Sequence, residues 1–221
     1  MLTYFPGELE GRLVCSPSAL YNEFKSVGVN GKEIVMRALF IGGTGIISTA
    51  ISHLAIERGW ELYLLNRGSK PEFVPERAHV LQADINDTEK VDGLIRKLQF
   101  DVVADFIAFV PEQVERDIRL FSGKTKQYIF ISSASAYQKP LSHYIINEST
   151  PLSNPYWKYS RDKIACEERL MHEYRNNSFP VTIVRPSHTY DKRSIPVAVH
   201  GKKGSWQVID RIMRGKPVII H

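Results

Sequence analysis

The feature of this 221-residue sequence that most limits its fold is the segment "FIGGTGIIS" at 40–48. It follows an apolar run that begins at Arg37, and it precedes a stretch with helical apolar spacing that stops at Gly59. A glycine-rich turn between a strand and a helix is the setting in which such turns bind dinucleotides. Gly42 would permit the tight turn, and Gly45 would let the backbone approach a pyrophosphate at the helix N-terminus.

Two positions differ from the common dinucleotide-binding pattern. Ser48 takes the third glycine position, where it is small enough to let helix and strand lie close together. The second strand runs into Asn66 and Arg67, where an acidic residue would bind the ribose hydroxyls of NAD. Arg67 can pair with the 2′-phosphate of NADP, and Asn66 does not repel one. The pattern therefore favours NADP over NAD, with a lone surface arginine as the alternative.

Strand and helix patterns alternate from Arg37 onward. Strands are predicted at six places, several of them almost entirely apolar: 37–41, 61–65, 79–82, 101–107, 127–132 and 181–185. Helices are predicted over 45–58, with Ile47, Ile51, Leu54 and Ala55 on one face, over 88–98 after the cap Asp87, after Pro111, and over about 156–176. The alternation predicts an α/β fold, a Rossmann-like doubly wound parallel sheet flanked by helices.

The two ends of the chain lack this alternation. Residues 1–35 are interrupted by prolines and glycines, and we interpret them as an N-terminal extension ahead of a natural start at Met36. A genuine N-terminal arm is the alternative. Residues 36–185 would form the dinucleotide-binding Rossmann domain, and 186–221 the start of a small C-terminal substrate region.

The C-terminal region has its own local pattern. Residues 186–204 read as a loop, Ser205 would cap a short helix that ends at Gly215, and "KPVIIH" reads as a strand. Eight of the chain's basic residues and two acidic ones lie within 185–221. This excess predicts a surface for phosphates, on a nucleotide or on a nucleic acid, with an ordinary solvated surface as the alternative.

Composition excludes several classes of protein. With 43% hydrophobic and 24% charged residues, the chain has the balance of a globular protein. Cys15 and Cys166 provide neither a disulfide framework nor a metal-binding pattern, which favours a reducing cytoplasm. No apolar run reaches the roughly 18 residues that a membrane span needs. We therefore expect a cytoplasmic protein without a membrane partner.

A second chemical pattern is "YWKYSRDK" at 156–163. Tyr159 and Lys163 are one helical turn apart, so both would lie on one face of a helix. A nearby ammonium stabilises a phenolate, which suits a tyrosine that acts as a base near neutral pH. Upstream, "FISSASAY" at 130–137 would place serine hydroxyls at the carboxyl end of a strand, where they can orient a substrate oxygen.

With these motifs the chain resembles the extended short-chain dehydrogenase/reductase family, the NAD-dependent epimerase/dehydratase family that contains nucleotide-sugar epimerases. The resemblance covers about 37–221 and rests on five motifs: "GGTGIIS", "ADI" at 83–85, "ISSASAY", "YSRDK" and "RPS" at 185–187. It implies that Tyr159 is the base and that Lys163 binds the nicotinamide ribose and tunes the tyrosine. Ser133 matches the catalytic serine, with Ser135 as the second choice.

The resemblance also implies where the cofactor would lie. Asp84 and Ile85 would flank the adenine, Ala108 would lie beside the dinucleotide, and Ser187 would lie near the nicotinamide. The full expected set of cofactor-binding residues is Gly42, Thr44, Gly45, Ile46, Ile47, Asn66, Arg67, Asp84, Ile85, Ala108, Tyr159, Lys163 and Ser187. NADP is the expected cofactor, NAD is the alternative, and no metal is expected.

The expected function is that of an NAD(P)-dependent oxidoreductase or epimerase acting on a nucleotide sugar or a similar alcohol or carbonyl compound. Tyr159 would take the hydroxyl proton while hydride passes to the nicotinamide. Ala134 and Ser135 stand where sugar 4,6-dehydratases carry an acidic pair, so epimerase or reductase chemistry is expected rather than loss of water. A homodimer is a candidate assembly.

Two alternatives to this function remain at the level of sequence. One is an RNA-binding protein on the same fold, because the chain has a looser resemblance to plant chloroplast stem-loop-binding proteins; nucleic acid is nevertheless not the expected partner, since RNA binding does not need Tyr159, Lys163 and Ser133. The other is an inactive cofactor-binding fragment, because family members continue beyond "GKPVIIH" into a substrate domain that we expect to be truncated here.

Overall fold

The structure is a computed structural model that describes residues 35–192 and 206–218. Contacts divide the chain into two units, Met1–Val35 and Met36–His221, and the sheet and helices belong to the second. The interpretation of residues 1–35 as an extension and the cap at Ser205 lie outside the described residues, apart from Val35. The role given to 186–221 as a partial substrate region stays a prediction.

A parallel six-stranded sheet forms the centre of the fold. Its strands are β1 (Arg37–Ile41), β2 (Glu61–Asn66), β3 (His79–Gln82), β4 (Phe100–Asp105), β5 (Thr125–Ile131) and β6 (Val181–Val184). They lie in the order β3-β2-β1-β4-β5-β6, and every neighbouring pair is parallel. From β1 the chain adds strands first toward one edge of the sheet and then, from β4, toward the other. In a doubly wound sheet a ligand crevice opens at this switch point, between β1 and β4. The predicted fold class is confirmed.

The helices agree with the predicted alternation. They are α1 (Ile46–Glu57), α2 (Thr88–Ile95), α3 (Pro111–Phe121), α4 (Lys158–Asn177) and α5 (Trp206–Met213), with short 3₁₀ turns at Pro71–Phe73 and Ala134–Ala136. Asp87 caps α2 as predicted, because its carboxylate accepts from the Lys90 amide at 3.2 Å. Within the described part of the chain, no helix combines the length and the apolar character that crossing a bilayer requires.

Two predicted strands end differently, for local physical reasons. The strand predicted over 101–107 ends at Asp105, because that carboxylate accepts from the Ile107 and Ala108 amides and turns the chain. No strand is present over 216–218, the described part of "KPVIIH". There the Arg211 guanidinium donates to the Pro217 carbonyl oxygen at 2.8 and 3.0 Å, which holds this segment against the end of α5.

The core lies on both faces of the sheet. On one face, Leu39 and Ile41 of β1 pack with apolar residues of α2, α3 and α4. On the other, Ala38 and Phe40 pack with Ala55 and Ile56 of α1. Successive residues of a strand face opposite sides, so the almost continuous apolar sequence of β1 fills both layers.

The face of α1 that packs on the sheet agrees only in part with the prediction, because Ala55 is buried and Ile47 and Leu54 are partly buried. Its buried residues are Ser48, Ser52, Ala55 and Ile56, whereas Ile51 is 38% exposed. Two small hydroxyl side chains let the helix approach the glycine turn closely, and Ser52 Oγ donates to the Gly43 carbonyl at 3.2 Å. The spacing of apolar residues does not reveal such a face, because a serine can be buried when its hydroxyl is hydrogen-bonded to a backbone group.

Candidate active site

A cleft of about 380 Å³ opens at the carboxyl edge of the sheet. It lies among the loops that follow β1, β2, β3 and β4, on both sides of the point where the strand order reverses. Its lining includes these predicted cofactor residues: Gly42, Thr44, Gly45, Asn66, Arg67, Asp84 and Ile85. Residues that are far apart in sequence thus share one concave site, as expected for a doubly wound sheet.

The glycine turn forms one wall of this cleft, and two of its positions require glycine. Gly42 has a φ of +79°, and a Cβ there would clash with Ile107 Cγ2. A Cβ at Gly43 would lie 2.5 Å from Leu64 Cδ2. The first position is limited by backbone conformation and by space, and the second by space alone.

Ser48 completes the turn instead of weakening it. Its hydroxyl accepts from the Gly45 amide and donates to the Gly42 carbonyl, each at 2.8 Å. The side chain is 1% exposed, so the helix lies as close to the strand as the sequence analysis expected. The first amide groups of α1, at Ile46 and Ile47, have no acceptor within the helix and carry its positive dipole end. Neither residue is among those that line the cleft, so the contact of Ile46 and Ile47 with a cofactor stays a prediction.

The end of β2 contributes an unpaired donor and two cations. Asn66 Oδ1 accepts from the Gly68 amide at 2.9 Å, while Asn66 Nδ2 is buried without a hydrogen-bond partner among the described residues. A buried donor left unpaired is unfavourable, and a ligand oxygen would satisfy it. Arg67 and Lys70 are exposed at the same wall, and neither is paired with a carboxylate in the described ranges.

The wall that follows β3 is held by a local turn. The Asp84 carboxylate accepts from the Asn86 amide at 2.9 Å, which orders the loop around the buried side chain of Ile85. Asn86 also lines the cleft, although the sequence analysis did not single it out. Its side-chain oxygen accepts from Arg116 Nη1 at 2.7 Å.

The predicted lysine is buried and held by two carbonyl groups. Lys163 is 1% exposed, and its Nζ donates to the Ala108 and Ile131 carbonyl oxygens at 2.7 Å each. Burial lowers the pKa of Lys163 to about 8. An ammonium has three donors, so one remains for a ligand. Ala108 thus serves as an acceptor for the lysine, while its neighbours Ile107 and Phe109 line the cleft.

Tyr159 is half-buried beside this ammonium. Lys163 Nζ lies 5.8 Å from the centroid of the tyrosine ring, in agreement with the helical spacing. The ring packs near Trp157 at 4.8 Å and Phe109 at 6.3 Å between centroids. Phe109 borders both the cleft and the lysine, whose Nζ is 4.7 Å from its ring centroid. Phe109 was not predicted from the sequence. Its position directly after Ala108, the residue expected beside the dinucleotide, was the available sign that it would border the site.

The predicted serines belong to a hydroxyl network at the end of β5. Ser133 Oγ accepts from the Ser135 amide at 3.1 Å and lies 2.9 Å from Ser135 Oγ. Ser160 Oγ, next to Tyr159 in sequence, donates to Ser135 Oγ at 2.9 Å. Ser133 and Ser135 are therefore linked through Ser160 to the start of α4, the helix that carries Tyr159.

Two further observations concern Ser187 and metal-binding side chains. Ser187 is exposed in the loop after β6 and does not line the cleft, so its place near a nicotinamide stays a prediction. Within residues 35–192 and 206–218, no group of three or more His, Cys, Asp or Glu side chains could hold a metal ion.

A buried acidic residue that the sequence analysis overlooked shapes the wall after β4. Asp105 is 0% exposed and accepts from the Ile107 and Ala108 amides at 2.5 and 2.9 Å. Arg116 Nη2 lies 3.5 Å from Asp105 and 2.8 Å from Asp117. Burial, and then the charge of Asp105, raise the pKa of Asp117 well above its usual value. The sign in the sequence that could have identified Asp105 was an acidic residue at the end of an otherwise apolar strand.

Gly42→Ala is expected to weaken binding of NADH by at least about tenfold, because the added methyl group would clash with Ile107 and strain the backbone. The matched control is Gly59→Ala, at the other end of α1. Gly59 has a φ of +76°, but a Cβ there meets nothing within 4 Å. Fluorescence titration with NADH, alongside thermal unfolding, separates lost binding from lost stability. Unchanged NADH affinity in Gly42→Ala would contradict this account of the turn.

Comparison with known proteins finds one curated relative and solved structures with the same fold. In the curated proteins, the chloroplast stem-loop binding protein of 41 kDa b of Arabidopsis thaliana is 29% identical over 117 residues, covering 47% of this chain and 30% of that protein. Among solved structures, the UDP-glucose 4-epimerase of Thermus thermophilus in complex with NAD has a TM-score of 0.65 at 23% identity. That match covers 83% of this chain and 64% of the epimerase.

Two further structures have the same fold. The UDP-glucose 4-epimerase of Thermotoga maritima with UDP-glucose has a TM-score of 0.64 at 21% identity, with coverage of 83% and 65%. The enzyme WbmG of Bordetella bronchiseptica in complex with NAD has a TM-score of 0.66 at 18% identity, with coverage of 84% and 62%. The chain thus spans less than two thirds of the length of each of these relatives.

The family comparison covers the whole region that carries the cleft. Residues 38–221 match the model of the NAD-dependent epimerase/dehydratase family. This range contains the glycine turn, the tyrosine–lysine pair and the serine network described above. The chain therefore belongs to the NAD-dependent epimerase/dehydratase family.

Proposed function

We propose that this chain is an NAD(P)-dependent oxidoreductase or epimerase that acts on a nucleotide sugar or a similar alcohol or carbonyl compound. One observation carries the proposal. The cleft with the glycine turn and the buried Lys163 beside Tyr159 lie at the same edge of the sheet, and Phe109 borders both. A cofactor site next to a tyrosine with a neighbouring ammonium is the arrangement that proton and hydride transfer require.

The cleft would provide complementary groups for the ADP part of a dinucleotide. Amide groups of the turn and of the first turn of α1 would hold the pyrophosphate. Asp84 and Ile85 would lie by the adenine, and the unpaired Asn66 Nδ2 would find an acceptor on the adenosine ribose. No acidic side chain lies in the first turn of α1 to oppose an anion.

The residues beside the cleft would carry the proton transfer. Tyr159 would take the proton of a substrate hydroxyl, while the Lys163 ammonium stabilises the phenolate that this role needs. Since the pKa of Lys163 is lowered only to about 8, the group remains mostly charged at neutral pH. Ser133, or Ser135 in the same network, would hydrogen-bond the substrate oxygen. A bound nicotinamide supplies the capacity to accept and return hydride.

The substrate class rests on the neighbourhood of the tyrosine and on the solved relatives. Tyr156 and Trp157 are 76% and 55% exposed, so flat apolar surfaces are available for a base or a sugar face. Solved structures with this fold include UDP-glucose 4-epimerases, one of them with UDP-glucose. Ala134 and Ser135 offer no acidic pair, which favours epimerisation or reduction over loss of water. A cytoplasmic location and a homodimer stay predictions from the sequence.

NADP is the proposed cofactor, with NAD as the alternative. Arg67 and Lys70 place two cations at the end of β2, on the wall where the 2′-position of an adenosine ribose is recognised. A phosphate there would form charge-assisted hydrogen bonds with Arg67. Two of the solved relatives named above hold NAD, so this preference would be a property of the present chain.

RNA binding is the second candidate, because the chloroplast stem-loop binding protein is 29% identical over 117 residues. The basic excess within 185–221 would supply phosphate contacts. If the chain binds RNA in this way, its affinity for RNA should fall steeply as the salt concentration rises. RNA binding, however, gives no role to the buried Lys163 or to the hydroxyl network of Ser133, Ser135 and Ser160. The enzyme proposal accounts for both.

Tyr159→Phe is expected to lower turnover by at least roughly 100-fold, because it removes the proton acceptor. The dissociation constant for NADPH should stay within about twofold, since the glycine turn and the residues proposed to bind the adenosine (Asn66, Asp84 and Ile85) are unchanged. Turnover would be followed with a panel of UDP-sugars and NADP or NAD. Tyr156→Phe is the matched control, because it removes an exposed hydroxyl from the same segment. Full activity of Tyr159→Phe would refute the assignment of the base.

Arg67→Ala is expected to reduce NADPH affinity about tenfold or more, because a charge-assisted pair to the 2′-phosphate is lost. NADH affinity should change little. Arg175→Ala, at an exposed arginine of α4, controls for the loss of one positive charge. An unchanged ratio of the two affinities, measured by nicotinamide fluorescence, would show that Arg67 does not select NADP.

A further inference from the structure

We propose that Glu167 and Arg185 form a positioning ion pair that fixes the nicotinamide end of the site by holding the segments that carry Ser133, Lys163 and Ser187. The inference rests on the proposed function, because it assigns a role within the same site. Neither residue of the pair lines the cleft, so both would act through the residues that they hold.

The carboxylate of the pair is buried, the guanidinium is partly buried, and their contact is two-pronged. Glu167 is 2% exposed, and the Arg185 side chain is 18% exposed. Arg185 Nη2 lies 2.6 Å from Glu167 Oε2, and Arg185 Nε lies 3.0 and 3.1 Å from the two carboxylate oxygens. The hydrogen bonds with Glu167 raise the pKa of Arg185, so the guanidinium stays charged. A planar fork against a carboxylate fixes both distance and orientation.

The Glu167 carboxylate joins α4 to the end of β5. Glu167 lies one helical turn beyond Lys163 on α4. Its Oε1 also accepts a hydrogen bond from Ser132 Oγ, and Ser132 directly precedes Ser133. A single carboxylate therefore contacts the segment of the serine network and sets the rotation of the helix that carries the lysine.

Arg185 joins this unit to the end of β6. The Ser132 amide donates to the Val184 carbonyl at 2.7 Å, and the Ala134 amide donates to the Pro186 carbonyl at 2.9 Å. The two segments thus continue to pair beyond the ends of β5 and β6. The side chain of Arg185, which lies between these two contacts in the sequence, reaches Glu167, and the segment that leads to Ser187 is fixed with it.

Tyr137 supports the same guanidinium from a second direction. Its hydroxyl lies 3.2 Å from Arg185 Nη1, and its ring centroid lies 5.0 Å from Arg185 Cζ. Tyr137 follows the 3₁₀ turn Ala134–Ala136. The segment that contains Ser133 is therefore held at both ends, by Glu167 through Ser132 and by Arg185 through Tyr137.

Positioning accounts for the pair better than stability does. Removing two charges from water is unfavourable, and a buried ion pair is often no more stabilising than apolar residues of the same volume. What apolar residues cannot reproduce is the directional contact among three separate elements. The carboxylate, the guanidinium and the Ser132 hydroxyl specify one arrangement of these elements at the end of the site where chemistry is proposed.

The test compares NADH with ADP, which lacks the nicotinamide and its ribose, on the full chain. In Glu167→Gln we expect ADP affinity within about twofold of wild type, because the residues proposed to bind the adenosine lie on the loops after β1, β2 and β3. The advantage of NADH over ADP should fall about tenfold, as expected if a displaced Lys163 loses its charged hydrogen bond to the nicotinamide ribose. Arg185→Lys should do the same, because it keeps the charge and loses the fork. Glu168→Gln, an exposed neighbour on α4, is the matched control.

The outcomes separate the inference from the proposed function. If both variants keep the NADH advantage, or lose affinity for the two ligands equally, the pair is structural and the inference is overturned. If wild type binds ADP but NADH no more tightly, the inference is overturned while the adenosine site stands. If wild type binds neither ligand, the proposed function fails and the inference fails with it.

Discussion

The arrangement of the site depends on one buried ammonium group. Lys163 Nζ donates to the carbonyl groups of Ala108 and Ile131, and so joins α4 to the loop after β4 and to the end of β5. A charge at this depth needs both acceptors, and even with them burial lowers its pKa to about 8. The same group lies against Phe109, which borders the cleft. A single lysine therefore lies beside both Tyr159 and Phe109, the residue that borders the cleft.

Interactions between neighbours in sequence were predictable. The strand–glycine–helix order identified Gly42 as a turn residue, and its φ of +79° agrees with that role. The helical spacing of Tyr159 and Lys163 placed both side chains at one site. Asp87 was recognised as a cap. In each case the determining contact lies within a few residues, so the sequence pattern contains it.

Features that join distant segments could not be predicted in the same way. The buried face of α1 follows from serines that bond to the glycine turn, and apolar spacing contains no sign of those bonds. Phe109 borders the site only because β4 ends at Asp105 and turns there. The pairing of Glu167 with Arg185 joins two elements separated by the end of a helix and a strand. Such contacts depend on the assembled sheet, and a single sequence does not specify their geometry.

The proposed function requires that a dinucleotide bind at the carboxyl edge of the sheet between β1 and β4. Amide hydrogen exchange of the full chain with and without NADPH tests this requirement, because it reports where the ligand binds and not only that it binds. We predict slower exchange with NADPH in the turn over 42–48 and in the loop over 83–86. Unchanged exchange at both places under saturating NADPH, or slowing confined to residues 185–221, would contradict it.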